Sequence, residues 1–367
     1  MAQDIPDKNI PDRQPPVSQV GVIGWMCKNL LCPWYNAVLT LVSCWAIWAA
    51  VAPFWEWAVT NASITLDPAA AKEHTGAAWG FIRDMWPVFM TGVYPAEERW
   101  RPLIALCIVV ILVSLSLVSS FRRSKWIRVL WFASPIVVFA LVYGGGITGL
   151  PVVGTHYWGG LMLTIMLSII AMLAAFPISV LLALGRTSDM PIAKPFCVAY
   201  IELIRGVPLI TLLFMASVVL PLFLPSGMEL DKVLRAIVGI TMFFSAYLAE
   251  NIRGGLQGIS KGQYEAADAL GMGYWKKTLV VILPQALRIV IPPMVNNFIG
   301  ILKDTSLVGI VGLVDLLQIA FATTSNPKWF GRLEEAYVFI AFWYWILCYA
   351  LSSYSQYLER KMPSASK

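Results

Sequence analysis

Charge is scarce in this sequence. Asp, Glu, Lys and Arg make up 13% of 367 residues, while the hydrophobic fraction is 58% and the mean hydropathy +0.70. A soluble domain carries about 25% charged residues and could not shield this much apolar surface. Histidine is nearly absent: His74 and His156 lie far apart. The six cysteines form no metal-type cluster, and the one near pair, Cys27 and Cys32, has no histidine beside it. No metal site is expected, and the remaining cysteines, mostly inside apolar runs, read as inert packing residues. No Gly-x-x-x-x-Gly-Lys-Ser/Thr loop occurs, and Gly258-Ile259-Ser260-Lys261-Gly262 is not one, so the chain is not expected to cradle nucleotide itself. With no clustered histidines, paired-Asp motif or nucleophile elbow, it is not expected to be an enzyme. The net charge of +6 fits the basic loops of a membrane protein better than a nucleic-acid partner. No signal peptide is expected: Met1 to Cys32 mixes charges with Pro6, Pro11, Pro15 and Pro16, and residues 1–35 read as a cytoplasmic tail.

What is present is long apolar runs. A helix needs about 20 residues to cross a hydrocarbon layer of roughly 30 Å. Asn36 to Trp55 and Pro102 to Ser120 carry no charge. Val129 to Gly185 carries none either and is too long for one crossing; the glycines at 144, 145, 146 and 149 with Pro151 divide it in two. Further spans are expected near 207–224, 234–252, 286–307 and 335–356. The chain is thus expected to be an all-α, multi-pass membrane protein of about eight helices. With the N-terminus inside, eighteen of the 27 basic residues fall on the inner side, which places both termini in the cytoplasm.

Two spans are short. Ala236 to Ala249 and Ile289 to Leu302 each hold 14 uncharged residues, about 21 Å of helix at 1.5 Å per residue. Ionisable groups must therefore enter the membrane zone, and Glu250, Lys303 and Asp304 are the candidates; snorkelling to the interfaces is the other reading for the cations. Glu202-x-x-Arg205-Gly206 and Glu250-x-x-Arg253-Gly254 repeat one pattern, in which each Glu and Arg can pair on one helix face and brace an inner gate. Pro292 and Pro293 are expected to kink their span near Asn296 and Asn297, polar positions suited to a path that opens and closes. Between the spans lies a polar loop, 262–284. Gln263 to Leu270 is strong helix sequence with small side chains, Gly271-Met272-Gly273 breaks it, and a second helical pattern runs from Tyr274 to Pro284. It reads as a docking knob for a soluble partner, with Glu265 and Asp268 as a charged edge; an amphipathic helix lying on lipid is the alternative.

The run Glu265-Ala266-Ala267, then Gly271, then Val281-Ile282-Leu283-Pro284, resembles the EAA motif of ABC importer permeases, with Val281 where isoleucine is commoner. Tyr200 to Leu209, Ala246 to Gly255, Leu283 to Arg288 and Leu302 to Leu307 resemble the polar amino acid uptake branch; Leu213 departs from it, where glutamine is frequent. The likeness covers 157–361. The preceding region, 36–150, with three spans and a large outer loop at 58–101, resembles the larger permease subunit of general L-amino-acid transporters of Gram-negative bacteria. The resemblance implies a type I ABC importer core of five helices preceded by three extra ones, in the bacterial inner membrane. It implies that Glu265, Ala266, Ala267, Asp268 and Gly271 couple to a separate cytoplasmic ATPase homodimer that binds ATP and Mg²⁺. A second homologous permease, a periplasmic amino-acid-binding protein and alternating access carrying L-amino acids inward are implied with it. Lys303 and Asp304, with Thr305 and Ser306, are candidates for the substrate path. From the residues alone, an ion- or proton-coupled secondary carrier using Glu250 and Asp304 stays open, although it leaves the loop unexplained.

Overall fold

The computed structural model describes residues 21–118, 124–225 and 227–361. The first twenty residues of the expected tail, and Arg122, Arg123 and Lys367 of the charge bias, lie outside the described residues. The chain divides into two compact units, Met1–Gly80 and Phe81–Lys367.

In the first unit, helix α1 (Trp34–Thr60) is long and apolar enough to cross a membrane. It ends in a π turn, Glu56–Thr60. Beyond it the chain folds back: Ser63 bridges Ala78, and the Trp79 indole donates to the Ala58 carbonyl at 2.8 Å. Asp67 caps the short helix Pro68–Glu73 by accepting from Ala69 N, with proline in the first turn where no donor is needed. Helix α2 (Trp79–Thr91) begins at the unit boundary. The stretch read from sequence as the loop 58–101 therefore contains two helices.

The second unit holds the remaining crossings. Its membrane-length helices are α3 (Ala96–Ser116), α4 (Lys125–Tyr143), α5 (Gly160–Thr187), α8 (Lys232–Gln257), α10 (Tyr274–Val311) and α12 (Leu333–Arg360). Helices α6 (Ala193–Arg205) and α7 (Leu209–Phe223) meet at 105°. Among the described residues the chain thus has seven helices long enough to cross, or eight if α6 and α7 form one broken crossing. The span expected near 207–224 is not a straight helix of its own. Fifteen residues of α7 give about 22 Å at 1.5 Å per residue, short of the roughly 30 Å needed. The bend follows from Gly206-Val207-Pro208: Gly206 closes α6 by donating to Glu202 O, and Pro208 forces the residue before it out of helical conformation. Helix α7 itself passes from an α turn through a π turn, Met215–Val219, to a 3₁₀ turn at Pro221.

Helices α5 and α8 form the axis of the core and run in the same direction. Thr155 hydrogen-bonds Asp231 before their starts, and Arg186 meets Glu250 near their ends. Leu163, Leu167, Ala171 and Ala175 on α5 bury against the cluster that holds Ala236, Ile240, Phe244 and Leu248 on α8. Lipid tails are as apolar as these side chains, so close packing rather than water exclusion holds the pair, and small residues set how near the backbones come. Gly255 shows this best: a Cβ there would lie 2.6 Å from Val290 Cγ1 and 2.8 Å from Ala286 O on α10. Gly300 faces Phe244 in turn, so α10 runs antiparallel to α8. At the start of α5, Gly159 and Gly160 bridge Val314 and Asp315, just before helix α11 (Leu316–Thr324). Gly160 has φ +60°, and a Cβ on it would strike the Phe89 carbonyl.

One expected stop is absent. Pro284 does not end the helix that resumes at Tyr274; α10 runs through it and through Pro292 and Pro293 without a break in the helix. A π turn, Lys277–Ile282, precedes Pro284, which occupies the first turn of the α segment that follows. The widened turn accommodates a residue that has no N–H and whose ring would clash with a regular preceding turn.

Candidate functional site

The loop 262–284 is a hairpin of two helices. Helix α9 (Lys261–Ala269) ends when Gly271 adopts φ +68°. Gly271 N donates to Asp268 O at 2.9 Å and Met272 N to Ala267 O at 3.1 Å, which satisfies two terminal carbonyls. Asp268, expected with Glu265 as a charged edge, stays exposed and reaches across the turn to Lys277 at 2.6 Å. Ala267 is buried, while Glu265, Ala266 and Gly271 are exposed. Leu270, which the motif reading passed over, is 76% exposed at the tip. Behind the tip, Tyr264 donates to Leu256 O on α8 at 3.4 Å, and Gln285 on α10 donates to Gln263 at 3.1 Å. Burial pushes the Tyr264 hydroxyl above its ordinary pKa. The tip is therefore tied to two core helices, and a force on it reaches both.

Around the ends of α5, α6 and α8 lies an ion network. Arg253 grips Glu250 with two parallel hydrogen bonds, 2.9 and 3.0 Å, the strong two-toothed geometry of guanidinium and carboxylate. The expected second pair, Glu202 with Arg205, does not form. Arg205 lies 5.5 Å over the Tyr247 ring and turns to Glu250 at 3.5 Å, because the aromatic face on α8 draws it away from its own helix. Glu202 is taken instead by Arg186 of α5 at 2.8 Å, and Arg186 also lies 3.2 Å from Glu250. One carboxylate thus serves three arginines from three helices. The sequence reading missed Arg186, whose one local signal is that it ends the charge-free run beginning at Val129.

The other expected residues stand apart from this network. On α10, Asn296 is exposed and Asn297 leaves its buried Nδ2 without a partner. At the far end of α10 from the loop, Lys303 is exposed, Asp304 and Ser306 are half-buried, and Thr305 is buried with its hydroxyl donating to Leu302 O at 2.8 Å. Leu213 is fully buried in the core. Two further polar features carried no sequence motif. Asp315, fully buried, caps α11 by accepting from Leu317 N and Gln318 N, and burial raises its pKa despite these bonds. Asp84 on α2 accepts from Lys328 Nζ and from the Trp329 indole, both at 2.7 Å.

Residues 175–363 match the family described as "Binding-protein-dependent transport system inner membrane component". An inner membrane amino-acid ABC transporter permease protein of Escherichia coli K12, YhdY, is 45% identical over 92% of both chains. The chain belongs to the polar amino acid branch of the ABC transporter permeases. A second relative of this permease is BztC of Rhodobacter capsulatus, a glutamate/glutamine/aspartate/asparagine transport system permease, 36% identical over 95% of this chain and 96% of its own. Among solved structures, an amino acid ABC transporter crystallised with histidines aligns with a TM-score of 0.50 at 32% identity, covering 55% of this chain and 92% of that one. The permease fold and the about eight helices expected from sequence agree with these likenesses and with the helices described above.

Proposed function

We propose that the permease is the transmembrane subunit of an ATP-driven importer that carries L-amino acids from periplasm to cytoplasm by alternating access. The observation that carries this reading is the α9 hairpin: a small-residue tip with Leu270 outermost, fastened to α8 and α10 by Tyr264, Gln263 and the Asp268–Lys277 pair. Such a tip suits insertion into a groove of a cytoplasmic ATPase homodimer, which would bind ATP and Mg²⁺. Movement of the hairpin would be passed along α8 to Glu250 and Arg253, where the three-helix ion network acts as the inner gate. Lys303 and Asp304, with Thr305 and Ser306, lie toward the opposite end and are proposed for the amino-acid path with Asn296 and Asn297. A second homologous permease and a periplasmic binding protein complete the assembly in the inner membrane, with both termini cytoplasmic. The relatives named for amino-acid transport, among them YhdY and BztC, support the substrate class.

The test is uptake by proteoliposomes that contain the permease co-purified with the products of its neighbouring genes. Labelled L-amino acid is expected to enter only with ATP inside and binding protein outside. Gly271→Asp should keep the permease pair and lose the ATPase. Uptake driven by an ion gradient without ATP would overturn the reading.

A further inference from the structure

A cavity of about 610 Å³ lies beside the α9 hairpin. Its walls come from the ends of α5 and α8, from α6, from Ile259 and Tyr264 at the hairpin, and from the start of α10. Three cations line it, Arg186, Lys194 and Arg253, and no carboxylate does. Asp189, exposed in the connection between α5 and α6, is not among its walls. Four cations, counting Arg205, stand here against Glu202 and Glu250, so positive charge is in excess. Lys194 has no salt-bridge partner among the described residues. Arg186 Nη1 is buried and pairs with Glu250 at 3.2 Å without a well-aligned hydrogen bond. The rest of the lining is mixed: Leu184, Val198, Leu256, Ile259 and Ile282 stand among Thr187, Gln257, Tyr264, Tyr274 and Thr278.

Three of the contributing helices end or begin there after a membrane-length run, so the cavity lies at the level of lipid headgroups. Helix α6 turns 105° from α7 and presents an outward apolar stripe, with Phe196 67% and Leu203 68% exposed. Phe196 and Leu203 are seven residues apart and share a face; Lys194 and Val198 share the face toward the cavity. This is the pattern of a helix lying in the interface with a cationic inner side. Basic pockets between membrane helices at that level recognise phosphorylated headgroups.

We propose that this cavity binds the phosphate of an anionic phospholipid, held by Lys194, Arg186 and Arg253, with the glycerol among the polar lining and the upper chains against Leu184, Val198, Leu256 and Ile282. Bound there, the lipid joins α5, α6 and α8 through the same arginines that hold Glu202 and Glu250, so headgroup charge sets how firmly the ion network is closed.

The full chain is purified and placed in phosphatidylcholine nanodiscs with or without phosphatidylglycerol; retained lipids are counted by native mass spectrometry and the unfolding midpoint is recorded. The wild type is expected to retain phosphatidylglycerol and to melt higher with it. Lys194→Gln should weaken retention about fivefold, the ~1 kcal/mol of one lysine at an anionic surface. Lys194→Glu should abolish it, whereas Lys125→Gln, a cation outside the cavity, should change nothing. Equal retention by wild type and Lys194→Glu overturns the proposal, as does an equal loss with Lys125→Gln, which would mark diffuse attraction. Inorganic phosphate raising the midpoint in neutral discs, without phosphatidylglycerol being retained, overturns the lipid as occupant. Neither ATP nor amino acid enters the experiment, so its outcome is independent of the transport reading.

Discussion

At the residue scale, burial separates the two glutamates that look alike in sequence. Glu250 is 15% exposed and holds three arginines, whereas Glu202 is 57% exposed and holds one. Removing the half-buried Glu250 leaves three arginines that water compensates only in part, which costs more than the at most ~1 kcal/mol of an exposed pair. Glu250→Gln should therefore lower the unfolding midpoint in detergent far more than Glu202→Gln, and equal shifts would show that the network is not centred on Glu250. Asp84 gives a prediction in pH. Its hydrogen bonds from Lys328 and from the Trp329 indole hold its pKa below the ordinary 3.8. The unfolded chain then binds this proton more readily than the folded one. The stabilisation is fully present above pH 3.8 and is lost as pH falls through the lower folded value. Asp84→Asn should melt lower than wild type at neutral pH, and the gap should narrow on acidification below that value. A gap that widens instead would mean Asp84 is not held as an anion by its two donors.

At the scale of elements, the hairpin's stiffness rests on its turn. Gly271 has φ +68° with no atom within 4 Å of a built Cβ, so a side chain there meets no neighbour and suffers only the backbone penalty of about 1–2 kcal/mol. Gly273, equally open but with φ −63°, takes a side chain freely. Gly271→Ala should speed amide exchange along α9 while Gly273→Ala leaves it unchanged; similar exchange in both would show that the turn does not stiffen the hairpin. The close approach of α8 and α10 at Gly255 is a second element-level constraint. Gly255→Ala would force Val290 and the Ala286 backbone away, at about 1–3 kcal/mol of overpacking, and should lower the unfolding midpoint. The hairpin and its turn were legible because glycine and alanine announce themselves by type. The continuation through Pro284 was not, since a π turn is a local answer to proline that no residue pattern marks. Nor was Arg186 with Glu202, because a contact between α5 and α6 depends on how helices lie side by side.

At the scale of the molecule, the number of crossings was legible because the bilayer fixes their length and expels charge from them. What sequence hid is how the extra helices join the core. Tyr94 donates to the Val142 carbonyl at 2.7 Å and lies in one cluster with Val153, Leu163 and Leu213, so the second unit has a continuous interior from α3 and α4 to α5 and α7. Arg101, 0% exposed, secures this junction: its Nε reaches Glu98 and its Nη1 the Pro151 carbonyl, each at 2.8 Å. The solved relative aligns over only 55% of this chain while 92% of its own is covered, so a core can exist without the extension; in this permease α3 and α4 share packing with that core. Arg101→Met should therefore be costly, about 3–5 kcal/mol, because Glu98 loses its buried partner. Pairing it with Glu98→Gln should recover part of that loss, since a neutral pair leaves no uncompensated charge. Unfolding midpoints of the two single variants and the double variant, together with protease cleavage in the glycine-rich link 144–151, would measure it. Additive losses, with no cleavage in the link, would mean that α3 and α4 are held by apolar packing alone and that Arg101 is not their anchor.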